Sequence, residues 1–336
     1  MIKKAAAASI GFSLVTVAAM VSPAGGQAGN AGNAAVPILP YKLVEWPAPA
    51  TSVAGFPMPW NLIQASSVAV TPKGTVIVLH RGAHPILEFE SNGKFIRSVA
   101  EGLPISEGKV AGIPKANWAP DRSRYSAVYG PAGCTACGAH SVRVDRQGNI
   151  WIIDAAGHVV YKLTEDGKEL MRLGTRGVSG TSQSTFNLPT DVAFAPNGDV
   201  YVSDGYGSAR VVKFSHDGKF LLQWGKRGTG PGEFGLPHNL VVDSQGRVYV
   251  TDRDNERVQV FDPAGTFLAE WKQIGVISAL ALTPDGRILT GAVLRDSTGQ
   301  AIGRLSEGGG AHGAAVDAEG TVYLAQLSGV VQKFAK

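Results

Sequence analysis

The stretch from Leu188 to Gly225 reads LPTDVAFAPNGDVYVSDGYGSARVVKFSHDGKFLLQWG, and its pattern decides the fold. Apolar and polar residues alternate with period two, the spacing of a half-buried strand rather than a helix. Asn197-Gly198 supplies a turn that needs positive φ, and Asp217-Gly218 supplies another. The same pattern returns in Leu236 to Trp271, LPHNLVVDSQGRVYVTDRDNERVQVFDPAGTFLAEW, and in Ala139 to Gly174, AHSVRVDRQGNIWIIDAAGHVVYKLTEDGKELMRLG. Weaker copies begin near Ser66, Ser278 and His312. The first turn glycines of the six copies are Gly74, Gly148, Gly198, Gly246, Gly286 and Gly320. Four strands per copy and six copies predict an all-β, six-bladed β-propeller. The last copy stops at Val330–Phe334 and lacks its fourth strand, whereas Tyr41–Trp46 looks like one. This N-terminal strand is therefore expected to complete the last blade, which removes two exposed sheet edges.

The rest of the chain fits that frame. Of 336 residues, 43 are glycine, without the every-third-residue period of collagen. A hydrophobic fraction of 44% excludes a disordered chain. The net charge is +4, too small for a nucleic-acid surface, and Lys3 and Lys4 account for half of it. These lysines precede an apolar run from Ala5 to Val21 and small residues to Ala28, which reads as a signal peptide over 1–28 and an exported protein, with an uncleaved membrane anchor as the other reading. A linker over 29–40 then leads to the propeller over 41–336. No later stretch is apolar enough to span a bilayer. A monomer without nucleic-acid partners is expected. An insertion over about 101–138 carries Trp118, Tyr125, Tyr129, Cys134 and Cys137, and reads as a folded loop or lid.

Eight residues before each turn glycine stand Ser66, His140, Thr190, His238, Ser278 and His312. Histidine thus occupies alternate blades, which a closed six-blade ring relates by a third of a turn. Three imidazoles would converge on the axis. Three neutral imidazoles with one open position are the ligand set of a catalytic zinc.

Seven or eight residues beyond the glycine, the chain returns to the histidine face. Arg81, Tyr206 and Arg253 stand there. Two arginines can grip a carboxylate, and a phenol beside zinc and arginines should ionise more easily and act as a base. A small-molecule or peptide substrate with a carboxylate is expected. Asp154, Asp204 and Asp252 recur six residues after the glycine and read as repeat structure that binds loop amides. His216, before Asp217-Gly218, reads as solvated, and His84 and His158 carry no functional reading.

At these residues the chain resembles the NHL-repeat propellers, and within them the peptidyl-α-hydroxyglycine α-amidating lyases. The likeness is strongest from Phe186 to Phe261, through Leu188-Pro189-Thr190-Asp191, Val202-Ser203-Asp204-Gly205-Tyr206, Gln223-Trp224-Gly225 and Leu236-Pro237-His238. It extends more loosely over Ser66 to Lys336. The resemblance implies a six-bladed propeller with zinc on His140, His238 and His312. It implies catalytic Tyr206, with Arg81 and Arg253 as active-site arginines. The implied reaction cleaves an α-hydroxyglycine N–C bond to give an amide and glyoxylate.

Three departures accompany the likeness. The family's Met-Pro-His-Asp is Gly310-Ala311-His312-Gly313 here, and loss of that aspartate puts a structural calcium in doubt. The cysteine that follows the catalytic tyrosine in animal members is Gly207. No hydroxylating domain is read within these 336 residues, so another small α-hydroxy or N-substituted acid is also open as substrate. In Cys134-Thr135-Ala136-Cys137-Gly138, the glycine breaks the haem-attachment pattern. A local disulfide is expected of an exported pair, with a thiolate zinc ligand as the other reading. A non-catalytic binding module and a lactonase-like metal hydrolase are the competing functions. The hydrolase would want axial carboxylates, and the register positions hold none.

Overall fold

Six four-stranded antiparallel sheets follow one another along the chain, as the repeat predicts. The computed structural model describes residues 36–47, 62, 64–106, 138–307 and 309–336. The expected signal peptide, most of the linker, and nearly all of the insertion with both cysteines lie outside the described residues. Blades 1 to 5 span 67–98, 139–173, 191–224, 237–271 and 280–304. Blade 6 takes three strands from 313–335 and its outermost strand from Lys42–Val44, which pairs Leu43 with Phe334. The ring closes with the N-terminal strand as expected. Just before it, Leu39 donates its backbone N–H to Arg304 O, and Arg304 donates to Pro37 O. Residues within the stretch read as linker thus lie along blade 5.

Alternation explains the core. Each inner strand turns one set of side chains to the preceding blade and the other to the next. Three residues after the turn glycine, Trp151, Tyr201, Tyr249 and Tyr323 fill the gaps between blades and are at most 1% exposed. At the closure, Trp46 sits between blades 6 and 1, edge-on to Phe89 (5.2 Å) and Tyr323 (5.7 Å). All six turn glycines have positive φ, from 81° to 90°. A side chain at these positions would be strained. No helix among the described residues is long and apolar enough to cross a membrane.

The three recurring aspartates brace the loops, as expected of repeat structure. Asp154 accepts from the Ser106 and Gly157 N–H groups, Asp204 from Asn187, and Asp252 from Gly235 and Leu236. Asp204 and Asp252 also hold Arg210 and Arg257 in buried ion pairs. His216 is exposed. His158 is buried, with its Nδ1 accepting the Leu188 N–H at 3.1 Å.

Candidate metal centre

Local irregularities of the inner strands aim the histidines. Pairing slips by a residue between Ala139 and Ser141, and again between Pro237 and Leu240. Such a bulge takes a residue out of the ladder and redirects its side chain. His140 and His238 occupy these bulges. His312 immediately precedes the inner strand Gly313–Val316 and donates its own N–H to Ala325 O.

The three imidazoles meet at the axis. Their ring centroids are 4.8 to 4.9 Å apart. One ligand atom from each lies within 4.8 Å of the others, so the set can hold a metal ion. All three rings are buried.

The remaining register positions orient them. His140 Nδ1 meets Thr190 O at 2.6 Å, His238 Nδ1 meets Ser278 O at 2.9 Å, and His312 Nδ1 meets Ser66 O at 2.7 Å. Each histidine is held by the backbone of the next blade at the same register. A carbonyl only accepts, so each Nδ1 carries the proton and each Nε2 keeps its lone pair. Carbonyl partners of this kind fix tautomer and ring orientation in metal sites. Burial, the largest effect, holds His140 and His238 well below the usual histidine range and lowers His312 to about 3; His312 adds to it at His140 and His238, Arg253 at all three, and Arg81 at His140 and His312. The rings are neutral at pH 7, as ligation requires.

Tyr206 stands over this triad on a one-turn helix, Gly205–Ser208. Its hydroxyl lies 3.0 Å from His140 Nε2 and 3.2 Å from His238 Nε2. The flanking glycines permit this approach. A Cβ on Gly205 would lie 2.1 Å from Pro237 O, and one on Gly207 would lie 2.1 Å from Asn187 Cγ. Arg253 sits over the Tyr206 ring, 5.7 Å from its centroid, with Nε 3.3 Å from Asp254 Oδ1. Arg81 is 1% exposed and donates from Nη1 to Gln64 Oε1 at 2.6 Å and from Nε to Ala139 O at 3.3 Å. All six residues read from the sequence thus gather at one face of the ring. Burial, the largest effect, raises the Tyr206 hydroxyl above the ordinary phenol, while Arg253 and Arg81 pull it down. The two arginines by themselves therefore do not give the easier ionisation expected of this phenol; desolvation outweighs them.

The donor set fits zinc: three convergent, neutral nitrogen ligands with oriented second nitrogens. The residues do not fit calcium where the resemblance would place it. A Cβ on Gly313 would lie 2.7 Å from Ser67 Cα, so blades 6 and 1 leave no room for a carboxylate there. Sequence reasoning missed Gln64, which lies 17 residues from Arg81 and outside any repeat position. It also missed the roles of Ser66, Thr190 and Ser278, although their register was in plain view.

Fold and centre together define a six-bladed propeller with a three-histidine site, and comparison with known proteins narrows that class. The NHL repeat family model matches residues 186–214 and 234–261. The chain carries NHL repeats and is similar to proteins named for peptide amidation. It is 37% identical over 207 residues to the peptidyl-glycine alpha-amidating monooxygenase of Mus musculus, covering 59% of this chain and 20% of that protein. It is 32% identical over 202 residues to a probable peptidyl-alpha-hydroxyglycine alpha-amidating lyase of Caenorhabditis elegans, covering 59% of this chain and 55% of that one. The chain thus spans about a fifth and about half of these relatives. Among solved structures, a virginiamycin B lyase from Staphylococcus aureus superposes with a TM-score of 0.54 at 13% identity, covering 88% of this chain and 99% of that one. At that identity the likeness shows the fold alone.

Proposed function

We propose that this protein is an exported, zinc-dependent carbon–nitrogen lyase that cleaves peptidyl-α-hydroxyglycine, or a small acid of the same pattern, to an amide and glyoxylate. One observation carries the reading: the Tyr206 hydroxyl within 3.2 Å of two histidine Nε2 atoms, beside two arginines. The names of the amidating relatives support it.

His140, His238 and His312 would hold the zinc, which when bound supplies Lewis acidity and a positive charge that favours the tyrosinate. Arg81 and Arg253 grip the substrate carboxylate and hold the α-carbon beneath Tyr206. Ionised Tyr206 takes the proton of the α-hydroxyl. The C–O bond becomes a carbonyl as the C–N electron pair leaves with nitrogen, and Tyr206 returns the proton to that nitrogen. An amide and glyoxylate result, with no oxidant or water consumed. Gln64 keeps the Arg81 guanidinium aimed at the carboxylate.

Metal content and glyoxylate release from an N-acyl-α-hydroxyglycine test the proposal together. Wild type should carry near-stoichiometric zinc and release glyoxylate, and His238→Ala should lose both. Zinc without glyoxylate would remove the reaction and keep the metal site. A protein that takes up no metal would point to a binding module instead. Amino-terminal sequencing of exported material should find residues 1–28 removed.

A further inference from the structure

Beneath the histidines lies a second polar layer that the proposed reaction does not use. Three residues past each register position the inner strands carry Ala69, Arg143, Ala193, Val241, Ala281 and Ala315. Five are small and apolar, and the sixth is an arginine. Its guanidinium crosses the channel. Nε and Nη2 clasp Asp191 of blade 3 at 3.0 and 2.6 Å. Nη2 also reaches Asn239 Oδ1 of blade 4 at 3.2 Å and Leu280 O of blade 5 at 3.3 Å. Nη1 donates to Ala314 O of blade 6 at 3.2 Å. One side chain of blade 2 therefore ties four other inner strands.

Its partners adjoin the residues that build the centre. Asp191 follows Thr190, whose carbonyl orients His140, and Asn239 follows His238. Leu280 is two residues past Ser278, whose carbonyl orients His238. Ala314 is two residues past His312. Asp191 is fully buried and also accepts from Ser141, the neighbour of His140, at 2.5 Å and from the Leu240 N–H at 3.2 Å. Asn239 Oδ1 accepts the Leu280 N–H at 2.9 Å. A change in the reach of Arg143 would move all three imidazoles at once.

We infer that Arg143 is a positioning residue: it sets the spacing of the three histidines from below and closes the channel, so that the centre has a single mouth, on the Tyr206 side. The inference rests on the three histidines being a metal site. Planar, five-donor geometry suits this position, because lysine offers one nitrogen where the network asks for three. Outer partners of metal ligands commonly govern affinity by 10–100-fold.

Cobalt(II), whose visible bands report ligand geometry, tests the inference in the full chain. Arg143→Met should bind Co²⁺ about 10–100-fold more weakly than wild type, with a shifted visible spectrum. Arg143→Lys should recover part of the affinity and keeps the question answerable if the methionine variant fails to fold. Val260→Ala, a core truncation between blades, serves as a stability control and should leave affinity and spectrum unchanged. Wild-type affinity and spectrum in Arg143→Lys, or in a folded Arg143→Met, would overturn the inference while the metal site stands. A wild-type protein that binds no Co²⁺ would overturn the metal reading and this inference with it.

Discussion

In the proposed reaction, Tyr206 is the residue on which the chemistry turns. Burial raises its hydroxyl and two guanidinium groups oppose that rise, so a bound cation would decide its ionisation. Removing the hydroxyl while keeping the ring isolates the acid–base role. Tyr206→Phe should keep its zinc and lose roughly 10²–10⁴ in kcat, the usual contribution of a positioned acid or base. Steady-state glyoxylate release with metal analysis on the same preparation measures both. Undiminished turnover would remove Tyr206 from the proton path. Histidines, tyrosine and arginines were legible in the sequence because the turn glycines number every copy from the same origin. Gln64 was not, because it precedes the first copy and reaches Arg81 only through the fold. The carbonyls of Ser66, Thr190 and Ser278 were hidden differently, since a backbone group leaves no mark in residue type.

At the scale of one element, the loop that follows Val76–Leu79 presents Arg81 around a buried neutral imidazole. His80 Nε2 donates to His84 O at 2.7 Å, and its Nδ1 accepts the Gly82 N–H at 3.2 Å. Burial, the largest effect, lowers His80 to about 4, against the opposing pull of its hydrogen bond to the His84 carbonyl. A histidine depressed in the folded state favours folding in its neutral form. Its contribution is therefore complete above the unfolded value near 6.5 and fades as pH falls from there towards 4. That interval corresponds to about 3 kcal/mol. In His80→Asn the stability gap to wild type should shrink by up to that amount between pH 7 and pH 4, read from denaturant unfolding at each pH. A gap independent of pH would show that His80 is not the titrating group. The strands themselves were legible from alternation and turn glycines. The inner-strand bulges were not, because a one-residue slip in pairing leaves alternation intact on either side.

For the whole molecule, closure is the decisive event. The N-terminal strand Lys42–Val44 completes the blade formed by the last residues, and Trp46 packs between the last blade and the first. A large buried aromatic replaced by alanine costs about 3–5 kcal/mol. Trp46→Ala should lose that much stability in chemical denaturation. A smaller loss, within about 0.5 kcal/mol, would mean that the ring closes without it. Six copies and a displaced strand announced this topology, so the ring was readable before its contacts were. The cross-channel arginine was visible only as one charged residue where its five counterparts are small.

The relay of imidazole to next-blade carbonyl has a consequence for how such a ring can change. Ligand and brace alternate around the circle, so the scheme obeys parity. Adding or deleting one repeat would set two ligands or two braces side by side and break the threefold array. A circle of this kind can grow or shrink only by pairs of repeats, and four or eight no longer give three ligands. The count of six is thus written into the centre as firmly as the histidines are.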